Sequence, residues 1–161
     1  MKKEINLPDM PSDLIDLALK DLDLCFNDNK YCVDMMFFHL KFKEDEKCHV
    51  CLAGSVLAKS LNGNINRSIT DGLFSFSDKI KNKIYGLNSL RIGDITEGVE
   101  SMIPQDLFLQ KQSQLLDLED EFSCIELDFR VLENSVSFKK EYDRLVSNMK
   151  KIAKRLRGIG L

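Results

Sequence analysis

The sequence predicts a mostly helical α+β domain with a small antiparallel sheet and a long amphipathic C-terminal helix. The chain has 161 residues, which is the usual size of one domain. Its residues are 43% hydrophobic and 30% charged, as in ordinary globular proteins. Apolar residues recur mainly at helical spacing, and no linker-like segment divides the chain. We therefore expect one domain, residues 1–161, with its core in 1–103 and a charged part in 104–161.

The first third of the chain alternates between helical and extended patterns. A helix is predicted from residue 11 to about residue 26, because leucines, Ala18 and Cys25 recur at helical spacing. Residues 31–42 are rich in apolar and aromatic side chains and predict a strand, followed by a charged turn at 43–47. Residues 51–61 predict a short helix that packs closely through its small side chains.

Capping residues mark the next helices. Asp71-Gly72 has the composition of a tight hairpin turn. Ser77 is the expected N-cap of a helix that ends before Gly93, and Asp94 with Glu97 has the spacing of a capping box. After these elements, residues 105–121 predict an amphipathic helix that is acidic towards its end.

Residues 122–132 fit either a strand or a helix, and we favour the strand because apolar and charged residues alternate. The last element has the clearest pattern in the chain. Apolar residues recur at helical spacing from Phe138 to Leu156, with Ser137 as the expected cap and Gly158 as the expected end.

The charge is distributed unevenly, although the net charge of the chain is only −3. Residues 101–136 contain 2 Lys/Arg and 8 Asp/Glu, a net charge of −6, whereas residues 137–161 contain 8 and 2, a net charge of +6. We expect the basic helix to pack on the acidic segment of its own chain or of a second subunit, because opposite charges fix the register of such pairs. A homodimer is the preferred interpretation. Its expected interface is the apolar stripe of Tyr142, Leu145, Met149, Ile152 and Leu156.

Nucleic-acid binding by the same helix is an alternative, because its lysines and arginines could neutralise several phosphates. The basic residues concerned are Lys139, Lys140, Arg144, Lys150, Lys151, Lys154, Arg155 and Arg157. We favour pairing with the acidic segment, because the helix lacks the interleaved aromatic residues that stack on single-stranded bases.

The motif Cys48-His49-Val50-Cys51 is the most suggestive cluster for chemistry. Cys48 and Cys51 are weak candidates for zinc binding, because a structural zinc site needs about four protein ligands and no second pair follows. Cys51 is also a weak candidate nucleophile, with His39 or His49 as its base, because a cysteine at a helix N-terminus can have a lowered pKa. Packing of buried thiols explains the motif more simply, so we assign no catalytic residue, metal or cofactor.

A binding surface is expected where the strand meets the helix that begins after Cys51. His39 and Lys41 lie on the same predicted face of the strand, and Arg91 is expected to reach the same region. The ligand could be a host protein or a small nucleotide-like molecule. No run of 18 apolar residues occurs and no secretory signal is recognisable, so we expect a cytoplasmic protein that does not span a membrane.

Two stretches of the first half carry a resemblance to other proteins. They are Asp16-Leu-Ala-Leu-Lys-Asp-Leu22 and Cys48-His-Val-Cys-Leu-Ala-Gly-Ser-Val-Leu-Ala58, with Leu87-Asn-Ser-Leu-Arg-Ile-Gly-Asp94 as a later match. Over residues 12–95 the chain resembles a group of small, uncharacterised bacteriophage-encoded proteins. This resemblance implies an accessory protein that acts in the cytoplasm of an infected host.

These observations lead to one functional hypothesis and two alternatives. The hypothesis is a non-enzymatic phage protein that inhibits or sequesters a host factor, for example in an anti-defence system. The alternatives are a cysteine-dependent enzyme and a nucleic-acid-binding protein.

Overall fold

The computed structural model describes residues 6–66, 73, 75–123 and 136–161, and it confirms the α+β class. In these ranges it contains six helices and three short strands. In chain order they are α1 (Pro11–Phe26), β1 (Tyr31–Val33), β2 (His39–Lys41), β3 (Cys48–Val50), α2 (Leu52–Ala58), α3 (Asp78–Arg91), α4 (Ile95–Met102), α5 (Gln105–Phe122) and α6 (Val136–Gly158).

The sheet is mixed, although an antiparallel sheet was expected. Its strand order is β1-β3-β2, with β1 parallel and β2 antiparallel to the central strand β3. The predicted strand 31–42 is interrupted, because Asp34 begins a turn and its side chain accepts a hydrogen bond from the backbone N–H of Met36. The two halves of this stretch therefore form separate strands on either side of β3.

Each helix packs on the next in the spatial order α6, α1, α2, α3, α4 and α5. Helix α1 contacts α2, α6 and β1, and α2 in turn contacts α3 and the sheet. Helix α3 packs closely on α4, because Gly86 and Gly98 face each other and a Cβ on either glycine would lie within 3 Å of the other's carbonyl oxygen. Helix α4 then contacts α5. Among the helices of the described ranges, none combines the length and apolar composition needed to cross a membrane.

The predicted helix ends are partly confirmed. Ser77 caps α3 by accepting a hydrogen bond from the N–H of Ile80. The expected capping box of α4 is wrong: Asp94 makes no side-chain cap, and Glu119 of α5 accepts the hydrogen bond from the N–H of Thr96 instead. Helix α6 begins at Val136, so Ser137 lies within the helix rather than at its cap.

Two further predictions lie outside the described residues. The expected hairpin turn at Asp71-Gly72 is one, and most of the stretch 122–132 is the other. Phe122 itself is the last residue of α5.

Candidate functional site

The sheet brings His39 and Cys48 together inside the protein. Cys48 lies on the central strand, and its Sγ is 3.8 Å from Nδ1 and 3.7 Å from Nε2 of His39 on β2. The two side chains are buried, and His39 is only 2% exposed. Desolvation raises the pKa of the Cys48 thiol to about 11. His39 and Cys48 therefore form a buried packing contact, and His39 does not lie on the accessible surface that was expected of it.

Cys51 occupies the N-cap position of α2, at the helix N-terminus that the sequence predicted, and its side chain is completely buried, as the packing interpretation of the motif expected. Burial raises the pKa of its thiol, and this effect outweighs the opposing hydrogen bond from the N–H of Gly54 at the start of the helix. A raised pKa disfavours the thiolate, which is the nucleophilic form of cysteine. The geometry thus gives the cysteine-enzyme alternative little support.

The other described thiols are similar. Cys25 and Cys32 are buried, and desolvation raises the pKa of Cys25 to about 12. Within the described ranges, no group of three or more His, Cys, Asp or Glu side chains is arranged to hold a metal ion, and Cys48 and Cys51 gain no further ligand there. Cys124 lies outside the described residues.

His49, the middle residue of the central strand β3, lies between two carboxylates. Its Nε2 is 2.5 Å from Oδ2 of Asp45, and this hydrogen bond lowers the pKa of Asp45. Its Nδ1 is 3.4 Å from Oδ2 of Asp34, which is ion-pair distance without a hydrogen bond. The imidazole thereby ties the turn after β1 to the turn before β3.

Two phenylalanines pack edge-on against this imidazole. The ring centroids of Phe37 and Phe42 are 5.2 Å apart, and they lie 5.7 and 5.3 Å from that of His49. Phe42 is 41% exposed, and Met36, which directly precedes Phe37 in the chain, is 50% exposed. We call Met36, Phe37, Phe42 and the underlying His49 the aromatic patch.

Lys41 and Arg91, the two charged residues expected at a binding surface, each have polar partners on other parts of the chain. Lys41 on β2 donates a hydrogen bond to Oδ1 of Asn66 at 3.3 Å. Arg91 at the end of α3 donates to the carbonyl oxygen of Met35 and, at 2.8 Å, to Oδ1 of Asn88. Lys41 pairs with Cys48 whereas Leu40 pairs with His49, so the side chain of Lys41 lies on the face of the sheet opposite His49. Arg91 holds the turn that carries Met36. A binding role of Lys41 and Arg91 stays a prediction.

The sequence did not single out the aromatic patch. Residues 31–42 were predicted as one strand, whereas in the structure the turn at Asp34 divides this stretch and the rings of Phe37 and Phe42 are in contact. The available signal was Asp34 followed by two methionines and two phenylalanines, which is an unusual concentration of apolar residues around a turn residue.

The apolar stripe of α6 is covered within the chain itself. The five residues expected at an oligomer interface are at most 4% exposed: Tyr142, Leu145, Met149, Ile152 and Leu156. Helix α1 covers this stripe, and Tyr142 stacks on Phe26 of α1 with ring centroids 4.1 Å apart. A homodimer stays a prediction, and it requires a different surface.

The pairing of the acidic and basic segments is limited in the described ranges. One ion pair joins them there, between Nε of Arg155 and Oε2 of Glu121 at 3.1 Å. Arg157 instead contacts Asp13 and Asp16 of α1 at 3.0 and 2.8 Å. Most lysines on the outer surface of α6 therefore make no ion pair with the described residues.

Comparison of the chain with protein-family models, curated proteins and solved structures gave no match. The resemblance to bacteriophage-encoded proteins stays a prediction from the sequence.

Proposed function

We propose that the chain is a non-enzymatic accessory protein of a bacteriophage that binds, and so inhibits or sequesters, a host factor in the cytoplasm of the infected cell, for example as part of an anti-defence system. The observation that carries this proposal is the aromatic patch, in which exposed Met36 and Phe42 are held on a fixed base. The homodimer expected from the sequence is part of the proposal.

The composition of the patch suits a protein partner. Aromatic residues, methionine and arginine are enriched in the centres of protein interfaces, and polar residues surround them. Here Met36, Phe37 and Phe42 form the centre, and the carboxylates of Asp34 and Asp45, which contact His49, supply polar groups beside it. A small nucleotide-like ligand has less support, because the centre of the patch is apolar and two carboxylates lie under it.

The patch is also ordered before a partner binds. The hydrogen bond of His49 with Asp45, the ring contacts and the tether from Arg91 fix both turns that carry the apolar side chains. Ordering side chains on binding costs free energy, so a surface that is already ordered binds more tightly for the same contacts.

Site-specific photocrosslinking in a bacterial lysate tests this proposal. A photoreactive phenylalanine analogue replaces Phe42 in one variant and Leu24 in a control, because Leu24 is a similarly exposed apolar residue, 48% exposed, on α1. We expect a discrete crosslinked protein from position 42 and not from position 24. Adding Met36→Glu should reduce the crosslink about tenfold, as loss of a central contact typically does.

Two outcomes would contradict the proposal. One is an identical set of crosslinked proteins from positions 42 and 24, which indicates nonspecific contact. The other is an unchanged crosslink in the variant with Met36→Glu, once circular dichroism shows that this variant is folded.

A further inference from the structure

The outer surface of α6 carries a row of lysines on the side opposite its buried stripe. Lys140, Lys151 and Lys154 are separated by 11 and 3 residues, which places them on one side of a helix. All three are exposed, and among the described residues none of them has an ion-pair partner. We call these three residues the lysine face.

The outer surface of α5 carries the opposite charge. Asp106, Asp117 and Asp120 are exposed, and none of them makes an ion pair within the described ranges. Leu109 and Leu116 lie on the same side of this helix, because they are one heptad apart, and they are 60% and 49% exposed. We call these five residues the acidic face.

The two faces match in length and lie on neighbouring parts of the molecule. Asp106 to Asp120 and Lys140 to Lys154 each extend over about four turns, roughly 21 Å along the helix axis. The ion pair between Arg155 and Glu121 places the ends of α5 and α6 beside each other within one chain. Asp120 and Lys154 directly precede these two residues in the chain, so both faces are within reach of one second copy.

We infer that the homodimer forms when the lysine face of each copy packs on the acidic face of the other. A twofold axis would use this pairing twice, so that both faces of both copies are occupied. The aliphatic stems of the lysines would cover Leu109 and Leu116 while their ammonium groups reach the aspartates. This inference names the interface of the homodimer included in the proposed function and is independent of the aromatic patch.

A nucleic acid is the competing occupant of the lysine face, and the surroundings disfavour it. The groove between α1 and α6 beside the lysine row is lined by three aspartates and three lysines, namely Asp16, Asp23, Asp143, Lys20, Lys139 and Lys150. The groove therefore has no excess positive charge, and a wide duplex that extends over it would gain no net attraction for its phosphates there. An acidic helix is only about 10 Å wide and fits on the lysine row alone.

Exchange of charges between the two faces tests the inference. One variant carries Lys151→Glu and Lys154→Glu, and the other carries Asp117→Lys and Asp120→Lys. Each variant alone brings like charges together at both junctions of a dimer, so sedimentation velocity at low salt should show dimerisation weakened about tenfold or more. An equimolar mixture restores opposite charges at both junctions, and we expect a heterodimer as stable as the wild-type dimer. Circular dichroism of each variant controls for folding.

Three results would overturn the inference: a wild-type chain that is monomeric throughout a concentration series at low salt, variants that dimerise as well as the wild type, or a mixture that forms no heterodimer.

Titration with a fluorescent duplex oligonucleotide tests nucleic acid as the competing occupant of the lysine face. Binding that is lost in the Lys151→Glu, Lys154→Glu variant of a monomeric protein would assign the lysine face to nucleic acid. Photocrosslinking from position 42 in the same variants separates the tests, because failure of the dimer leaves the aromatic patch unchanged.

Discussion

The region around α2 and the region around α6 use their polar and reactive side chains in opposite ways. Every residue of α2 is buried, and the thiols and the imidazole of His39 beside it are packed inside the protein. Helix α6 buries an apolar stripe but exposes lysines and arginines along its other side. The cysteines and His39, which suggested catalysis or metal binding, thus pack in the core. The charged residues of α6 are exposed and are available for contacts with another molecule.

The largest expected effect comes from adding one methyl group in the α2 region. A Cβ on Gly54 would lie 1.5 Å from the carbonyl oxygen of Phe38, which is part of the backbone and cannot turn away. We expect Gly54→Ala to lower the free energy of unfolding by about 3 kcal/mol or more, or to prevent folding. Urea denaturation measures the change.

Gly158→Ala in α6 is the matched control for this substitution. No atom lies within 4 Å of the added Cβ, and alanine is favoured over glycine in a helix by at most about 1 kcal/mol. Equal destabilisation by both substitutions would show that the close approach of α2 and the Phe38 backbone does not limit the fold.

The comparison also explains which parts of the structure could be predicted from the sequence. Helix α6 was predicted well, because its period of apolar residues extends over many turns and local pattern determines it. The split of residues 31–42 was not predicted, because the side chain of Asp34 forms a local turn that alternation alone does not show. The position of Cys51 at a helix N-terminus and the burial of its thiol were both predicted, because the small and apolar residues that follow it are typical of a closely packed helix.

The same limit applies to the candidate site. Lys41 and Arg91 were expected at one binding surface, and this stays a prediction: Arg91 holds the turn that carries Met36, whereas Lys41 lies on the face of the sheet opposite His49. The contact between Phe37 and Phe42 depends on the return of the chain after the turn, and the burial of His39 depends on the order of the strands. Neither the ring contact nor the burial of His39 can be predicted from the spacing of residues along the sequence.

An intermediate effect is expected from the buried side of α6. Met149 is fully buried in the core cluster, so Met149→Ala leaves a cavity and should cost about 3 kcal/mol of the free energy of unfolding. Ser147→Ala on the exposed side should change it by less than about 0.5 kcal/mol. Similar urea midpoints for the two variants would contradict the packing of α6 on α1.

The smallest effect concerns a single surface carboxylate that has a buried partner. Asp9 accepts hydrogen bonds from Lys79 and from Lys83, whose Nζ is buried and also donates to the carbonyl oxygen of Leu7. These two lysines lower the pKa of Asp9 from its ordinary value of 3.8 to about 2. The native state therefore binds fewer protons than the unfolded state between pH 4 and 2, and this contribution to stability is present above pH 4 and is lost as the pH falls.

Thermal unfolding as a function of pH measures this contribution. We expect Asp9→Asn to be slightly less stable than the wild type at pH 7, and the two melting temperatures to converge as the pH approaches 2, because a protonated aspartate is no better a partner for lysine than asparagine is. Glu100→Gln is the control, because Glu100 is exposed and has no ion pair among the described residues. A constant difference between Asp9→Asn and the wild type at all pH values would show that Asp9 anchors the N-terminal segment by its hydrogen bonds alone. The charge of the buried lysine would then be balanced elsewhere.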